Sequence, residues 1–297
     1  MKATLIGTGG GAGIQRDRCQ AGLIVEVAGD HLQFDLGAGV TRRLNEAGFH
    51  LPDIGRLFIT HYHADHFVDY AAFVLSSWAM GRSSRLEAYG PVGHPRFGAV
   101  GLRAITERLF GAGGIHDADI VSRIEDLGRR GTQRHGLPTR RPDVSVHELD
   151  ERSIAVETSA YRVTAAPVVH APASLHCLAY RVDADGKSLV YSGDIGANDL
   201  SMTEFAADAD VLIHECTRFD DAIDALGWRD MHTGPLALGA VAAAARVKKL
   251  VLTHFSRSVT EGDRAPDERP LERMVADVRR HFSGEVVVAT DLMRVDL

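Results

Sequence analysis

Four candidate metal ligands lie within six residues, and this cluster constrains the fold of the chain more than any other feature. It follows the apolar run Leu57-Phe58-Ile59-Thr60, which is typical of a buried strand, and it precedes the apolar segment 67–80, which indicates a helix. A spacing of two residues along an extended loop sends side chains to the same side. The four ligands are His61, His63, Asp65 and His66. The pattern predicts a metal-binding loop between a strand and a helix, with a solvated polar loop as the alternative.

The chemistry of these side chains indicates which metal they would bind. Imidazole and carboxylate favour Zn²⁺ over Ca²⁺ or Mg²⁺, although Mn²⁺ and Fe²⁺ accept similar ligands. The chain carries 15 histidines in 297 residues, and histidine is the commonest metal ligand. We therefore expect zinc, with Mn²⁺ or Fe²⁺ as the alternatives.

Composition indicates a cytoplasmic α/β protein. With 45% hydrophobic residues the chain can bury the core of one large domain, and we expect one domain over residues 1–297. No segment approaches the roughly 18 apolar residues that span a bilayer, so no membrane association is expected. Three cysteines without a Cys-x-x-Cys spacing exclude a disulfide framework and a zinc ribbon. The net charge of -7 argues against a general nucleic-acid binder.

The first 35 residues predict a β-meander with strands at 3–6, 22–28 and 31–35. The glycine-rich run 7–13 suggests dinucleotide binding, with Asp35 as the acid that holds the ribose. That interpretation fails because a Rossmann glycine turn opens a helix, whereas a strand follows here. The run is better explained as a tight glycine loop near the active site.

Segment 94–142 is expected to be a helical lid inserted into the core. Two helical patterns, around residues 96–110 and 117–127, are joined by glycines and followed by an arginine-rich loop. This loop is either solvated or a flexible rim that attracts anions, and both interpretations stay open. Its arginines are Arg129, Arg130, Arg134, Arg140 and Arg141.

The second half of the chain repeats a pattern in which an apolar strand ends on a polar residue. Strands are predicted at 163–169, 177–182, 188–192, 210–213, 249–252 and 285–288, and helices at 235–246 and 271–282. Four of these strands lead into a histidine or an aspartate, namely His170, Asp194, His214 and His254. Such placement gathers polar groups at one rim of a sheet, where an active site can form.

These motifs resemble the metallo-β-lactamase superfamily. Its signature His-x-His-x-Asp-His is matched by residues 61–66, and the likeness continues through His170, Ser192-Gly193-Asp194 and Leu252-Thr253-His254. The resemblance implies an αββα sandwich with two metals. His61, His63 and His170 would hold one, Asp65, His66 and His254 would hold the other, and Asp194 would bridge them. His176 competes with His170, which we prefer because it ends a strand.

Two further motifs narrow the resemblance. His214-Glu215-Cys216-Thr217 and His232-Thr233 look like the loops of ribonuclease Z and its phosphodiesterase and arylsulfatase-like relatives. In those proteins the glutamate orients a histidine that protonates the leaving group. A carboxylate such as Glu215 can fix the tautomer of His232 and raise its pKa, which suits a general acid. A helix-capping role for His232 is the alternative.

We therefore expect a two-metal hydrolase that cleaves a phosphodiester or related anionic ester of a small substrate. A hydroxide held between two cations would attack, and Asp65 would accept its proton. The alternatives are a ribonuclease Z-type tRNA 3′ endonuclease, a lactonase or thioesterase, and a binding protein without catalysis. The endonuclease is less favoured because no long Gly/Pro-rich arm for RNA is recognisable. The sequence leaves the substrate open, and it leaves monomer and homodimer open.

Overall fold

Two seven-stranded β-sheets form the centre of the molecule in the computed structural model, which describes residues 1–129, 139–261 and 269–297. The strands of the first sheet are β1 (Lys2–Gly7), β3 (Gly22–Val27), β4 (Asp30–Phe34), β5 (Arg56–Phe58), β6 (Leu86–Pro91), β7 (Val144–Leu149) and β16 (Met293–Asp296). Their order is β16-β1-β3-β4-β5-β6-β7, and the strands from β4 to β7 are parallel.

The second sheet combines an antiparallel and a parallel half. Its strands are β8 (Ser153–Glu157), β9 (Tyr161–Val168), β10 (Cys177–Ala184), β11 (Lys187–Tyr191), β12 (Val211–Glu215), β13 (Lys249–Thr253) and β15 (Glu285–Val288). The order is β15-β13-β12-β11-β10-β9-β8, with parallel pairing from β11 to β15. A third, small sheet pairs β2 (Gly9–Gly10) with β14 (Phe255–Ser256).

Helices cover the outer faces of both large sheets. They are α1 (Val40–Glu46), α2 (Ala64–Phe67), α3 (Tyr70–Ala79), α4 (Leu102–Phe110), α5 (Asp117–Arg129), α6 (Ser201–Phe205), α7 (Asp220–Leu226), α8 (Pro235–Ala244), α9 (Arg257–Thr260) and α10 (Pro270–Val278). Short 3₁₀ turns lie at Leu51–Asp53 and Arg96–Gly98. The predicted αββα sandwich is confirmed.

Aromatic side chains from both sheets fill the space between them. Phe34 and Phe58 of the first sheet stack with ring centroids 4.9 Å apart, and Phe58 meets Tyr180 of the second sheet at 5.4 Å. All three rings are buried. Burial of this apolar area stabilises the contact between the two sheets, and the packed sheets fix the position of the loops at their edges.

The expected lid segment contains the two helices that the sequence predicts, although the first is shorter. Residues 96–98 form a 3₁₀ turn, and α4 begins only at Leu102, after Gly98 and Gly101. Leu102 and Phe110 of α4 and Ile120 of α5 are buried in the outer core of the first sheet. These helices therefore pack on the sheet, and a role of the segment as a lid stays a prediction.

Two expectations from composition can be compared with the structure. Cys19, Cys177 and Cys216 are free thiols, and no disulfide links them. Within the described ranges, every helix is too short or too polar to cross a bilayer.

Candidate metal centre

Loops at the carboxyl ends of parallel strands bring the predicted ligands together. The loop after β5 and the first turn of α2 carry His61 to His66, the loop after β11 carries Asp194, and His254 follows β13. His170 follows β9, at the same edge of the sandwich. Because parallel strands end at one edge, residues distant in sequence meet there.

The first group of potential ligands consists only of histidines, His61, His63 and His170, and we call it the imidazole group. His63 Nδ1 lies 3.1 Å from His61 Nε2 and 3.1 Å from His170 Nε2. His61 and His170 are buried, whereas His63 is partly exposed. Three imidazole nitrogens that converge in this way match the ligand set of a zinc ion with an open position.

The second group contains two acids and two histidines, Asp65, His66, Asp194 and His254, and we call it the carboxylate group. All four side chains are buried. His254 Nε2 lies 3.2 Å from Asp65 Oδ2 and 3.0 Å from His66 Nε2. Buried carboxylates are costly unless they are paired or bind a cation, so this donor set fits a divalent metal.

Asp194 reaches both groups with different oxygens. Its Oδ1 lies 3.2 Å from the Nε2 atoms of His66 and His254, and its Oδ2 lies 3.7 Å from His170 Nε2. Oδ1 is also buried without a hydrogen-bond partner in the described structure. A cation in the carboxylate group would bind this oxygen directly and so compensate its burial.

Hydrogen bonds behind the ligands orient the rings. The buried carboxylate of Asp35 accepts a hydrogen bond from His66 Nδ1 at 2.7 Å, and His170 Nδ1 donates to the carbonyl of Met231. The Thr217 hydroxyl donates to Glu215 and therefore accepts from His254 Nδ1, 3.0 Å away. In each ring Nδ1 donates to an oxygen behind it, so Nε2 is the nitrogen that faces the other candidate ligands and could bind a metal.

Asp35 is the functional residue that the sequence analysis missed. It accepts hydrogen bonds from the Thr60 backbone N–H at 2.8 Å, the Thr60 hydroxyl, and the Tyr191 hydroxyl at 3.0 Å. The Thr60 hydroxyl, whose proton points to Asp35, accepts from His61 Nδ1 at 3.0 Å. Asp35 thus supports one ring directly and another through Thr60. It follows β4 as a polar residue after an apolar strand, the signal that singled out His170 and His254.

The glycine loop lies against the carboxylate group, as the sequence analysis expected. The backbone N–H of Gly11 donates to Asp65 Oδ2 at 2.6 Å. A Cβ atom at Gly10 would come within 2.4 Å of His254 Nδ1, so no larger residue fits without moving that ring. Glycine is therefore needed because the loop passes close to a candidate metal ligand, and not because the loop binds a nucleotide.

Burial and charge set different protonation states in the two groups. Burial lowers the pKa of His61 well below its usual value, and it lowers the pKa of His63 to about 4. Burial also lowers the pKa of His66, but the carboxylates of Asp194 and Asp35 outweigh it and hold this pKa well above its usual value. Burial raises the pKa of Asp194, but His254 and His66 outweigh it and keep the carboxyl ionised.

His232 and Glu215 form a pair beside the two groups. Both oxygens of the buried Glu215 carboxylate lie 3.1 Å from His232 Nδ1. Burial lowers the pKa of His232, but Glu215 outweighs it and raises the pKa to about 9. His232 Nδ1 also lies 3.8 Å from Asp194 Oδ2, so His170, Asp194 and His232 form a third group that could hold a metal. The structure thus brings together the candidate metal ligands and the His232–Glu215 pair that the resemblance implies.

Other polar residues considered from the sequence lie apart from these groups. His176 contacts the ring of His94 at 5.1 Å, which leaves His170 as the histidine that joins the imidazole group. His214 is buried, and its Nδ1 donates to the Glu215 carbonyl at 2.7 Å. Arg141, just before β7, pairs with Asp117 at the amino-terminal end of the strand, opposite the ligand edge. Most of the arginine-rich loop, residues 130–138, lies outside the described residues.

Two family models match the sequence. The model of a beta-lactamase superfamily domain matches residues 117–255, and the model of the anti-Pycsar protein Apyc1 matches residues 1–82. The first match includes His170, Asp194, Glu215, His232 and His254, and the second includes the His61–His66 loop.

Full-length relatives and solved structures agree with these matches. Ribonuclease Z of Mycobacterium bovis is 27% identical over 302 aligned residues, which cover 100% of this chain and 98% of the relative. The metallo-beta-lactamase fold protein YhfI from Bacillus subtilis has a TM-score of 0.70 at 21% identity, with 99% of this chain and 98% of that one covered. Human tRNase Z, short form, has a TM-score of 0.68 at 23% identity, with coverage of 100% and 99%.

Proposed function

Since the chain belongs to the metallo-β-lactamase superfamily of metal-dependent hydrolases, we propose that it hydrolyses a phosphodiester or related anionic ester of a small substrate. The imidazole group and the carboxylate group would each hold one divalent cation, zinc in the simplest case, with Asp194 between them. The observation that carries the proposal is the pair of His232 and Glu215 directly beside both groups.

The metals and the protein would have separate tasks. Bound in these groups, two cations supply Lewis-acid polarisation of an anionic ester and lower the pKa of water. The side chains of the two groups would hold them, and Asp65 stays ionised. Burial raises the pKa of Asp65, but the hydrogen bond from His254 and the charge of His66 outweigh it. An ionised Asp65 can accept the proton that the attacking water gives up.

His232 would act on the leaving group. With a pKa of about 9 it carries a proton at pH 7, and Glu215 holds the Nδ1 side of its ring. The Nε2 atom makes no hydrogen bond within the described part of the chain, so its proton is available to the departing oxygen. An alcohol is a poor leaving group unless it receives a proton, and general acid catalysis contributes roughly 10²- to 10⁴-fold.

The choice between substrates rests on charge and on leaving-group chemistry. A protein of net charge -7 has no overall attraction for RNA, which favours a small phosphodiester or sulfate ester. A lactone or thioester would not need the His232–Glu215 pair, because its leaving group departs with metal assistance. Maturation of tRNA is the second candidate, because relatives named ribonuclease Z align along the whole chain.

Replacing His232 tests the proposal. His232→Ala should keep both metals and lower kcat by roughly 10² to 10⁴ for an alkyl phosphodiester. It should lose much less activity with a p-nitrophenyl ester, because nitrophenolate departs without a proton. Glu215→Gln should show the same pattern more mildly. His176→Ala, a histidine outside the three groups, is the matched control and should leave both rates unchanged.

Two results would reject this role. An equal loss with both leaving groups would show that His232 does not act as the acid, and a loss of metal would assign it to the ligand set that it forms with His170 and Asp194. A panel of phosphodiester, sulfate, lactone, thioester and precursor-tRNA substrates then ranks the substrate classes. Faster turnover of the precursor tRNA than of every small ester would replace the small substrate by RNA.

A further inference from the structure

A partly exposed tryptophan lies next to the candidate general acid. The ring centroids of Trp228 and His232 are 5.9 Å apart, and the two planes meet at 57°. Both residues belong to one tight turn, in which the carbonyl of Trp228 accepts hydrogen bonds from Met231 N at 2.8 Å and His232 N at 2.9 Å. The turn starts at Gly227, whose φ of 68° ends α7. The backbone therefore fixes the indole relative to the imidazole.

The same turn is anchored to the metal centre. The Met231 carbonyl accepts a hydrogen bond from His170 Nδ1, and the His232 carbonyl accepts one from Ala197 N at 3.1 Å. Trp228 thus has a fixed position relative to the imidazole group as well. A residue held in this way can orient a substrate, because it loses little freedom when the substrate binds.

A guanidinium supports the indole. Arg218, which follows Thr217 directly, places its Cζ 5.4 Å from the centroid of the Trp228 ring. Its NH1 donates to the Ser258 hydroxyl at 2.6 Å, whereas its buried Nε has no hydrogen-bond partner among the described residues. Arginine and tryptophan together form a positively charged, π-rich surface. Such surfaces stack planar rings and attract the phosphates that accompany them.

The surface formed by Trp228 and Arg218 lies beside His232, and this location indicates which part of a substrate it would bind. The oxygen that takes the proton of His232 belongs to the leaving group, and the ring of Trp228 lies within reach of that group, 5.9 Å from the ring of His232. On the basis of the proposed phosphodiesterase activity, we propose that Trp228, supported by Arg218, stacks a planar ring of the leaving group. The substrate is then a phosphodiester whose departing alcohol carries an aromatic base, such as a nucleoside.

The reaction balances with water alone. A water oxygen forms a bond to phosphorus, and the bond between phosphorus and the nucleoside oxygen breaks. That oxygen keeps the electron pair and takes the proton from His232, while the attacking water gives its proton to Asp65. Trp228 takes no part in these transfers. It determines which leaving group reaches His232, so it is a specificity residue.

A pair of substrates with the same reacting oxygen tests the inference. One is the methyl phosphodiester of adenosine, joined through the ribose O5′, and the other is the same diester of an abasic ribose. Trp228→Leu should lower kcat/KM for the adenosine diester by about 5- to 160-fold, the range for stacking of one base on an aromatic ring. The abasic diester should change little. Trp228→Phe keeps an aromatic face and should retain most of the preference.

The matched control and a second readout separate stacking from a folding defect. Leu226, in α7 and 48% exposed, should be replaceable by alanine without any change in the preference for the adenosine diester. Adenosine should quench the fluorescence of the wild-type protein but not of Trp228→Leu, because the remaining tryptophan, Trp78, is buried. This titration needs no catalysis.

The outcomes distinguish this inference from the proposed function. Equal losses with both diesters in Trp228→Leu, or quenching that persists without Trp228, would overturn the stacking role. If the wild-type protein hydrolyses neither diester, the phosphodiesterase proposal fails. The quenching experiment then still decides whether Trp228 binds a planar ring.

Discussion

The imidazole group and the carboxylate group lie side by side but are built differently. The imidazole group contains no acid, and its His63 is partly exposed. The carboxylate group is fully buried and contains Asp65 and Asp194. Negative charge in a buried site attracts a cation strongly, because little solvent screens it. We therefore expect the carboxylate group to bind its metal first and more tightly.

The surroundings of the two groups reinforce this difference. The carboxylate group makes charge-assisted hydrogen bonds, since Asp65 accepts one from Gly11 N and His66 donates one to Asp35. Another member of this group, His254, donates a hydrogen bond to the Thr217 hydroxyl. The imidazole group is held by neutral oxygens, namely the Thr60 hydroxyl behind His61 and the Met231 carbonyl behind His170. Outer hydrogen bonds tune metal affinity, so the difference extends beyond the ligands themselves.

The largest effect is expected from Asp194, because it is shared by both groups. Asp194→Ala should bring the metal content of purified protein from about two ions per chain to below one, since a bridging carboxylate serves two cations. His254→Ala, the control, removes a ligand of one group only and should keep about one ion. Elemental analysis measures both. Equal metal contents in the two variants would show that Asp194 is not shared.

The parts of the molecule also differ in how well the sequence predicts them. The His61–His66 cluster and strand-end residues such as His170 and His254 were identifiable because metal ligands need particular side chains at particular ends of strands. The layers of the sandwich followed from the resemblance that those residues carry. Strands β6, β7 and β8 were not predicted, since each is short and interrupts its apolar residues with charged or polar ones, and the short α6 and α7 carry little periodic signal.

The supporting residues could not be predicted in the same way. Asp35 lies 31 positions from His66, and Thr217 lies 37 positions from His254. Their roles depend on which side chains meet after the two sheets pack, and no local pattern encodes that meeting. Asp35 did attract attention in the sequence, but as a ribose-binding acid, because its spacing from the glycine loop is compatible with that role. Trp228 has no motif at all, and only its contact with His232 gives it a function.

A smaller effect is expected from Asp35, because it contacts a histidine of the carboxylate group directly and a histidine of the imidazole group only through another residue. Asp35→Asn removes the charge that His66 and Thr60 face. Metal affinity should fall by roughly 10- to 100-fold, the range for losing an outer partner of a ligand. The carboxylate group should lose more, since Asp35 touches His66 directly and reaches His61 only through Thr60.

A matched acid makes this comparison specific. Asp210 accepts hydrogen bonds from Ser188 N at 2.9 Å and Lys248 Nζ at 2.8 Å, at the start of β12 and away from the metal groups. Asp210→Asn should alter stability without changing metal affinity. Stepwise competition with a chromophoric chelator reports the two affinities. A uniform loss at both sites in Asp35→Asn would remove the distinction between direct and indirect support.

The smallest expected effect is a difference in pH dependence between the groups. Burial already keeps His61 and His63 neutral, since it lowers the pKa of His63 to about 4 and that of His61 well below its usual value. His66 differs, because Asp194 and Asp35 outweigh burial and raise its pKa, so the ring keeps a second proton at neutral pH. A metal must displace that proton. Zinc affinity of the carboxylate group should therefore rise with pH, about tenfold per unit below the pKa of His66.

Calorimetric zinc titrations in buffers of different ionisation enthalpy count the protons released. His63→Ala keeps the carboxylate group and should release about one proton per zinc at pH 7, because His66 must become neutral before it can bind. His254→Ala keeps the imidazole group, whose rings are already neutral, and should release fewer. Equal release by the two variants would mean that His66 is neutral before zinc arrives. The greater affinity of the carboxylate group would then have to come from Asp65 and Asp194 alone.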